Sequence, residues 1–292
     1  KLAMRGQARG CGVLVPDFCS VINRPRLAEW MERTPAPWVL KPRGEASSMG
    51  IRKVQHSQEV WDALNALDDR QSFFLLERFV PGNVYHVDSV IWEGQIVAAA
   101  CHRYGLPPMT VYHGGGVFAS TTLLHASDEE EALLAINRRT VAAMGMRNGV
   151  THAEFIRAHD NGEFYFLEVA ARVGGAFIAD MLEQATGFNP WREWGRLEVA
   201  MLRNEAYEPP QIRDEYGGLL VTLARQAVPD LSAYNAPEVA WKADKPHHAV
   251  VVLRSPDAGR IEALLNEYTE RFVADFSTSA PPMDASRTGQ SG

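Results

Sequence analysis

Residues 151–175 constrain the fold of this chain more than any other segment. They contain two runs rich in aromatic and β-branched residues, separated by Asp160, Asn161 and Gly162. This pattern predicts a β-hairpin with a three-residue loop, in which glycine takes the left-handed position. In that register Glu154 lies opposite Glu168, with both side chains on one face of the ladder. The chain is therefore expected to contain two facing carboxylates.

The facing pair points to a metal and a nucleotide. Two carboxylates ~5 Å apart repel by roughly 3 kcal/mol at an effective dielectric of ~20, and a divalent cation would neutralise them. Carboxylate oxygens without clustered sulfur or imidazole favour Mg²⁺ or Mn²⁺. Because Mg²⁺ held by one or two carboxylates usually also binds substrate phosphates, the sequence predicts a metal–nucleotide site.

Composition limits the partners of this 292-residue chain. Hydrophobic content of 46% and charged content of 22% predict a globular protein with two or three subdomains. The net charge of −7, without a clustered Lys/Arg stripe, predicts a small ligand and argues against nucleic acid or an anionic membrane. Cys11, Cys19 and Cys101 lack zinc or disulfide spacing, which fits the cytoplasm. Nothing in the sequence decides the oligomeric state, and a homo-oligomer stays open.

The order of the strand and helix patterns predicts an α+β chain. Glu208, Pro209 and Pro210 predict a boundary between units. Ser255 is predicted as the N-cap of the last helix, with Pro256 at the start of that helix. The predicted units are a small subdomain at 1–76, a main subdomain at 77–207, a C-terminal α+β subdomain at 208–276 and a disordered tail at 277–292.

Two segments have patterns typical of nucleotide contacts. Lys41 ends a strand and precedes residues 43–50, whose backbone N–H groups could surround phosphate oxygens. The alternative is a surface turn with a solvated lysine. In residues 77–80 the strand backbone and the Glu77 carboxylate could bind adenine, although a salt-bridged edge strand is the commoner explanation.

Arg172 and the Gly/Pro-rich residues 102–116 are further candidates. Arg172 continues the parity of Glu168, so its guanidinium could bind phosphate or carboxylate oxygens, or serve as a counter-ion for Glu168. Residues 102–116 fit either a substrate lid or an ordinary glycine loop. We expect Arg103 and His113, in this stretch, to contact a substrate carboxylate.

Several motifs follow one another along the chain: Lys1 with Met4-Arg5 before GVLVP, then LKPRGEASSMGI, ERFVPG, YHVDSV, THAEFI and FLEVAARVGG. Taken in this order, they resemble the ATP-grasp superfamily over nearly the whole chain. The resemblance is closest to carboxylate–amine ligases of the carnosine-synthase and amino-acid-ligase type, with biotin carboxylase more distant.

The resemblance implies an ATP-grasp fold, in which two α+β subdomains clasp ATP and a C-terminal α+β subdomain follows. It implies transfer of the γ-phosphate to a small-molecule carboxylate, and displacement of phosphate from the acyl phosphate by an amine. Mg²⁺ would be held by Glu154 and Glu168, and Arg172 and Lys41 would be catalytic. The implied ATP-binding residues are Lys1, Lys41, Ser47, Ser48, Gly50, Glu77, Arg78, Phe79 and Val80.

The chain departs from the family pattern at three places. Val84 stands where a ribose-binding Glu is common, and Ala170 stands where an Asn usually binds the metal. Because the hairpin register places His152 opposite Ala170, we hypothesise that His152, or water beside it, fills part of that gap. Family members normally carry another α/β domain before the position of Lys1, so we expect a fragment of a longer enzyme.

The expected function is an ATP- and Mg²⁺-dependent carboxylate–amine ligase acting on a small amino acid or a similar acid. One alternative is an ATP-grasp carboxylase, or another enzyme that forms an acyl phosphate. A second alternative is a nucleotide-binding regulatory domain that has lost its chemistry, which Val84 and Ala170 keep open.

Overall fold

The computed structural model describes residues 1–44, 50–109, 111 and 116–278. Its helices are α1 (Leu2–Gly10), α2 (Arg24–Arg33), α3 (Ser57–Leu67), α4 (Asp128–Met144), α5 (Ile178–Thr186), α6 (Pro190–Arg203) and α7 (Ala258–Asp275). Its first strands are β1 (Phe18–Ser20), β2 (Trp38–Pro42), β3 (Arg52–Val54), β4 (Phe74–Arg78), β5 (Gly82–Trp92) and β6 (Gln95–Tyr104). The others are β7 (Phe118–Thr122), β8 (Gly149–Ala158), β9 (Phe164–Ala170), β10 (Tyr216–Leu223), β11 (Val239–Lys242) and β12 (His248–Ser255).

The strands form two antiparallel sheets, which confirms the predicted α+β class. The small sheet has the order β1-β4-β2-β3 and packs against α2 and α3 through a core that includes Leu27, Trp30 and Leu64. The large sheet has eight strands in the order β11-β12-β10-β7-β6-β5-β8-β9. Among the described residues, no helix is long and apolar enough to cross a membrane.

Side-chain alternation gives the large sheet two different faces. Val84 and Val90 of β5 pack on one face with residues of α5 and α6, whereas Tyr85 and Val87 pack on the other with α1 and α4. A core around Phe272 fixes α7 on β10 and β12. The strands before and after the predicted boundary near residue 208 thus belong to one sheet. The division of the chain into subdomains at that boundary stays a prediction.

The hairpin that dominates the sequence has the predicted facing residues but a different loop. Glu154 lies opposite Glu168 and His152 lies opposite Ala170. The loop has four residues, 159–162, because the Ala158 N–H donates to the Glu163 carbonyl at 2.9 Å. A bulge at Leu167 compensates for the extra residue, since Phe155 pairs with Phe166 while Glu154 pairs with Glu168. The prediction of a three-residue loop was therefore wrong. The bulge restores the predicted pairing of Glu154 with Glu168 despite the longer loop.

Two element ends also differ from the sequence predictions. β9 ends at Ala170, so Arg172 does not continue the ladder. The N-cap of α7 is Asp257 and not Ser255, because the Asp257 carboxylate accepts from the N–H groups of Gly259 (2.8 Å) and Arg260 (3.3 Å). The predicted disordered tail starts too early, because Thr278 donates its N–H to the Leu223 carbonyl at 3.1 Å. The rest of that predicted tail, residues 279–292, lies outside the described part of the chain.

The N-cap of α7 gives a test of the fold. We predict that Asp257→Ala lowers the free energy of unfolding by about 1 kcal/mol, because two N–H groups lose their acceptor. Asp257→Asn should lose less than half as much, since asparagine is an equally good N-cap. Urea unfolding followed by circular dichroism measures both variants. Equal losses in the two variants would show that the cap does not hold the helix.

Candidate active site

A cleft of about 430 Å³ lies between the small and large sheets. The small sheet contributes Lys41 and Glu77, and the large sheet contributes Glu154 and Glu168. The long segment after β6 also reaches the cleft, with four mainly apolar residues in its lining: Pro107, Pro108, Met109 and Val111. One cleft thus brings together most of the residues that the sequence singled out.

The two facing carboxylates each have a protein partner at one oxygen. Glu154 Oε1 accepts from the Tyr104 hydroxyl at 2.9 Å and lies 3.6 Å from His152 Nε2. Glu168 Oε2 lies 3.0 Å from Lys1 Nζ. Burial alone would raise the pKa of Glu154, but the nearby His152 and the hydrogen bond from Tyr104 hold it below its usual range. Protein cations therefore offset much of the repulsion, and charge alone does not demand a metal here.

The donor set nevertheless fits a hard divalent cation. Within the described residues, Glu154 Oε2 and Glu168 Oε1 have no hydrogen-bond donor, although both side chains line the cleft. Carboxylate oxygens on adjacent strands are ligands that Mg²⁺ accepts while it keeps waters and substrate phosphates. Ala170 lines the same wall without offering a ligand atom. Glu154 and Glu168 are therefore the residues that would hold the ion.

The opposite wall contains a buried cluster of two cations and one anion. The Glu77 carboxylate accepts from Arg5 at 2.5 Å and from Lys41 at 2.8 Å, and all three side chains are almost fully buried. Burial alone would raise the pKa of Glu77, but Arg5 and Lys41 lower it. Burial and Arg5 lower the pKa of Lys41, against the effect of Glu77. The cluster carries a net positive charge, which suits phosphate oxygens.

This cluster changes the predicted role of Glu77. Its carboxylate is held between two cations and is not available to read adenine. The N–H groups of Arg78 and Phe79 donate to the carbonyls of Asp17 (2.7 Å) and Pro37 (3.1 Å). Val80, at the end of the segment, remains the candidate backbone contact, and all four residues 77–80 line the cleft.

His152 is held by a buried carboxylate that the sequence analysis did not assign. Its Nδ1 lies 2.9 Å from Asp88 Oδ1, and its Nε2 lies 3.4 Å from the Tyr104 hydroxyl. Burial alone would lower the pKa of His152, but Asp88 raises it to about 10. Both ring nitrogens face protein groups, Nδ1 toward Asp88 and Nε2 toward Tyr104 and Glu154. The hypothesis that His152 itself replaces a metal ligand does not fit these contacts, and a water beside it stays a prediction.

A second histidine pair extends the buried polar cluster. His86 Nδ1 lies 2.7 Å from Asp88 Oδ2, and its ring stacks on His102 with centroids 4.8 Å apart and planes 12° apart. His86, Asp88 and His102 offer ligand atoms within 4.8 Å of one another. However, one ion cannot lie in the planes of two stacked rings, and both Asp88 oxygens already have imidazole partners. We therefore interpret this cluster as a hydrogen-bond network.

The remaining candidate residues have different positions. Arg172 lines the cleft and donates to the Val173 carbonyl at 2.7 Å. Arg103 lies 3.6 Å from Glu262 of α7 and does not line the cleft, because alternation along β6 turns Tyr104 inward instead. Arg103 is thus not a substrate contact in this structure. Gly50 has φ of +68° beside the cleft residue Ile51, whereas the other three candidates, Ser47, Ser48 and His113, lie outside the described residues.

Sequence reasoning assigned no role to Arg5, Tyr104, His86 or Asp88, although three of them lie in the quoted motifs. The link between Arg5 and Glu77 joins residues far apart in the chain. A signal for His86 and Asp88 was present, because both share one parity with Val84 and Val90 on a strand face that is otherwise apolar. Val84 itself is buried and lines the cleft, so it supplies no ribose contact of the expected kind.

Comparison with known proteins identifies the class. The family model of the ATP-grasp domain matches residues 34–180, just over half of the 292-residue chain. The chain belongs to the ATP-grasp family, and the predicted resemblance is confirmed.

Among curated proteins, the chain is 24% identical over 211 residues to an L-arginine-specific L-amino acid ligase of Bacillus subtilis. The match covers 70% of this chain and 50% of that ligase, so the chain spans about half the length of this relative.

Two solved structures show the same fold. The crystal structure of an L-amino acid ligase from Bacillus licheniformis has a TM-score of 0.69 and 17% identity, covering 96% of this chain and 72% of that one. A carboxyaminoimidazole ribonucleotide synthase from Aspergillus clavatus complexed with ATP has a TM-score of 0.70 and 16% identity, covering 93% and 72%.

His102 predicts an acid-sensitive stability. Its two ring nitrogens have no hydrogen-bond partner of normal geometry among the described residues, although a weak contact with the Ala100 backbone favours the charged ring. Burial, with a smaller effect of His86, lowers the pKa of His102 to about 3. The folded protein keeps this ring neutral, whereas the unfolded chain protonates it below about pH 6.5. The titration of His102 therefore does not change the free energy of unfolding above about pH 6.5. It lowers that free energy progressively as the pH falls from about 6.5 toward 3.

We predict that His102→Phe flattens the pH dependence of unfolding between about pH 6.5 and pH 3. One proton taken up on unfolding contributes a slope of about 1.4 kcal/mol per pH unit, and phenylalanine removes it. Urea unfolding at several pH values in this window measures the two slopes. Parallel curves for the variant and the wild type would contradict the assignment, whatever their offset.

Proposed function

We infer that this protein is an ATP- and Mg²⁺-dependent ligase that joins a small carboxylate, such as an amino acid, to an amine. The observation that carries this inference is the composition of the cleft. One wall holds the Arg5–Glu77–Lys41 cluster, and the facing wall holds Glu154 and Glu168. A cationic wall opposite a carboxylate pair suits the phosphates of a metal-bound nucleotide.

The chemistry consists of two group transfers. A carboxylate oxygen of the substrate attacks the γ-phosphorus of ATP, the bond to the β-phosphate oxygen breaks, and ADP leaves. The amine nitrogen then attacks the carbonyl carbon of the acyl phosphate, the C–O bond to phosphate breaks, and the amine loses a proton. The products are an amide, ADP and inorganic phosphate.

The residues of the cleft supply positioning and charge. Lys41, fixed by Glu77, and Lys1 are placed to offset charge on phosphate oxygens. Arg172 offers a planar fork of donors for the acyl phosphate. A Mg²⁺ ion held by Glu154 and Glu168 would neutralise charge on the transferred phosphoryl group. Catalysis of this kind depends on electrostatic preorganisation more than on proton transfer.

The substrate class rests on similarity and on the lining of the cleft. The Bacillus subtilis relative is named as an L-arginine-specific L-amino acid ligase, which supports an amino acid as the carboxylate. Pro107, Pro108, Met109 and Val111 provide apolar surface in the same cleft as the acidic pair. Such a surface suits the aliphatic part of a small acid and excludes water from the acyl phosphate.

A screen of the full-length protein for ADP release tests this function. With ATP and Mg²⁺, we expect ADP release to require both an amino acid and an amine acceptor. Glu154→Gln should lower the rate by about 100-fold or more, because one metal ligand loses its charge. The control is Glu163→Gln, an exposed glutamate beyond the loop of the same hairpin, which should retain the wild-type rate.

Other results would point elsewhere. ADP release that depends on bicarbonate would indicate a carboxylase. ATP binding that survives Glu154→Gln, without product from any amino acid, would indicate a regulatory domain. Either result would overturn the ligase assignment.

A further inference from the structure

A row of polar side chains crosses the buried face of the large sheet and ends at the acidic pair. The strand registers place His102 beside His86, His86 beside Glu154, and Glu154 beside Glu168. The next row contains Asp88 and, beside it on β8, His152. Because these positions alternate with the apolar core of the other face, all of them point to the same side of the sheet.

Hydrogen bonds connect the two rows into one chain. Ser120 Oγ lies 2.8 Å from His86 Nε2, His86 Nδ1 lies 2.7 Å from Asp88 Oδ2, and Asp88 Oδ1 lies 2.9 Å from His152 Nδ1. A carboxylate only accepts, so both imidazole Nδ1 atoms donate to Asp88. His152 is then left with its Nε2 toward Tyr104 and Glu154 Oε1.

The packing around His152 leaves its ring little freedom. The Gly174 backbone lies directly against the Asp88–His152 hydrogen bond, since a Cβ at Gly174 would lie 2.8 Å from His152 Nδ1 and 2.9 Å from Asp88 Oδ1. On β9, the residue opposite His152 is Ala170, which has a small side chain.

The cost of burying this network argues for a role beyond folding. Asp88 is 1% exposed and His86 is 0% exposed. Well-packed apolar residues of similar volume are often as stabilising as a buried ion pair, or more so. A network whose last member touches a candidate metal ligand has a reason to persist, because outer-shell partners orient ligands and tune metal affinity.

We propose that Asp88 is a positioning residue that holds His152 against Glu154, and thereby fixes this carboxylate for the divalent cation. His86 and Ser120 lock the second oxygen of Asp88. The inference rests on the proposed function only in taking Glu154 and Glu168 as the metal ligands. Asp88 itself touches neither the ion nor the substrates.

Mn²⁺ binding to the full-length protein in the presence of ATP tests the proposal, with free Mn²⁺ measured by electron paramagnetic resonance. Asp88→Asn keeps the shape of the side chain but removes its charge and one acceptor. We expect this variant to bind Mn²⁺ about 10- to 100-fold more weakly, which is the usual effect of losing an outer-shell partner. The spectrum of bound Mn²⁺ should also change.

The structural control is Ser89→Ala. Ser89 is buried on the same strand but on the opposite face, where its Oγ accepts from Asn137 at 3.0 Å. This variant should lose stability while it keeps Mn²⁺ affinity within about twofold, since it lies away from the network. If both variants lose Mn²⁺ affinity equally, the effect is general destabilisation and the proposal is wrong.

A second variant keeps the proposal testable if Asp88→Asn does not fold. Gly174→Ala substitutes no residue of the network, but its Cβ would press against the Asp88–His152 hydrogen bond. This variant should therefore also weaken Mn²⁺ binding about tenfold. Gly195→Ala is its control, because a Cβ at that exposed position of α6 meets no atom within 4 Å. Wild-type affinity in both Asp88→Asn and Gly174→Ala would overturn the proposal.

Failure of the proposed function gives a different result. If the wild-type protein binds no Mn²⁺ with ATP, or if Glu154→Gln leaves its affinity unchanged, the metal site is wrong and the inference falls with it. If Glu154→Gln abolishes binding while Asp88→Asn and Gly174→Ala do not weaken it, the metal site stands and the role of Asp88 alone is wrong.

Discussion

The antiparallel register of β5, β8 and β9 determines where the two facing carboxylates of the candidate site lie. Side chains in a strand alternate between faces, so a slip of one residue would move Glu154 or Glu168 to the opposite side of the sheet. The bulge at Leu167 is part of this constraint, because it restores the facing of the two carboxylates after a four-residue loop. The geometry of the acidic pair is therefore a property of the whole ladder and not of two residues.

The two sheets contribute different charged groups to the cleft. The small sheet supplies Lys41 and Glu77, with Arg5 of α1 inserted between the two sheets by bonds to Glu77 and to the carbonyl of Phe166. The large sheet supplies carboxylates that are partly balanced by nearby cations. Burying charges is unfavourable unless they are paired and hydrogen-bonded, and the ion pairs of Glu77 with Arg5 and Lys41 meet this condition.

The sequence was sufficient to predict features that depend on local side-chain periodicity. It was not sufficient for contacts between residues that are far apart in the chain. Two-residue alternation and a turn signal were enough to pair Glu154 with Glu168. Nothing in that pattern shows a bulge, and the bulge depends on how β9 fits the rest of the sheet. The contact of Asp88 with His152 could not be predicted, because it depends on the pairing of β5 with β8. Arg5 and Glu77 likewise meet only when the small sheet lies next to α1, which itself packs on α4 and on β9 of the large sheet.

The pairing of β7 with β10 has a consequence for how the chain can be divided. Gly218 to Val221 of β10 lie in register with Phe118 to Thr121 of β7, in the interior of the eight-stranded sheet. A recombinant product that stops before β10 would expose the backbone donors and acceptors of β7 as a new sheet edge. Such edges pair readily with other chains, so truncation there would favour aggregation over a smaller folded protein. The last three strands are thus inseparable from the wall that carries the acidic pair.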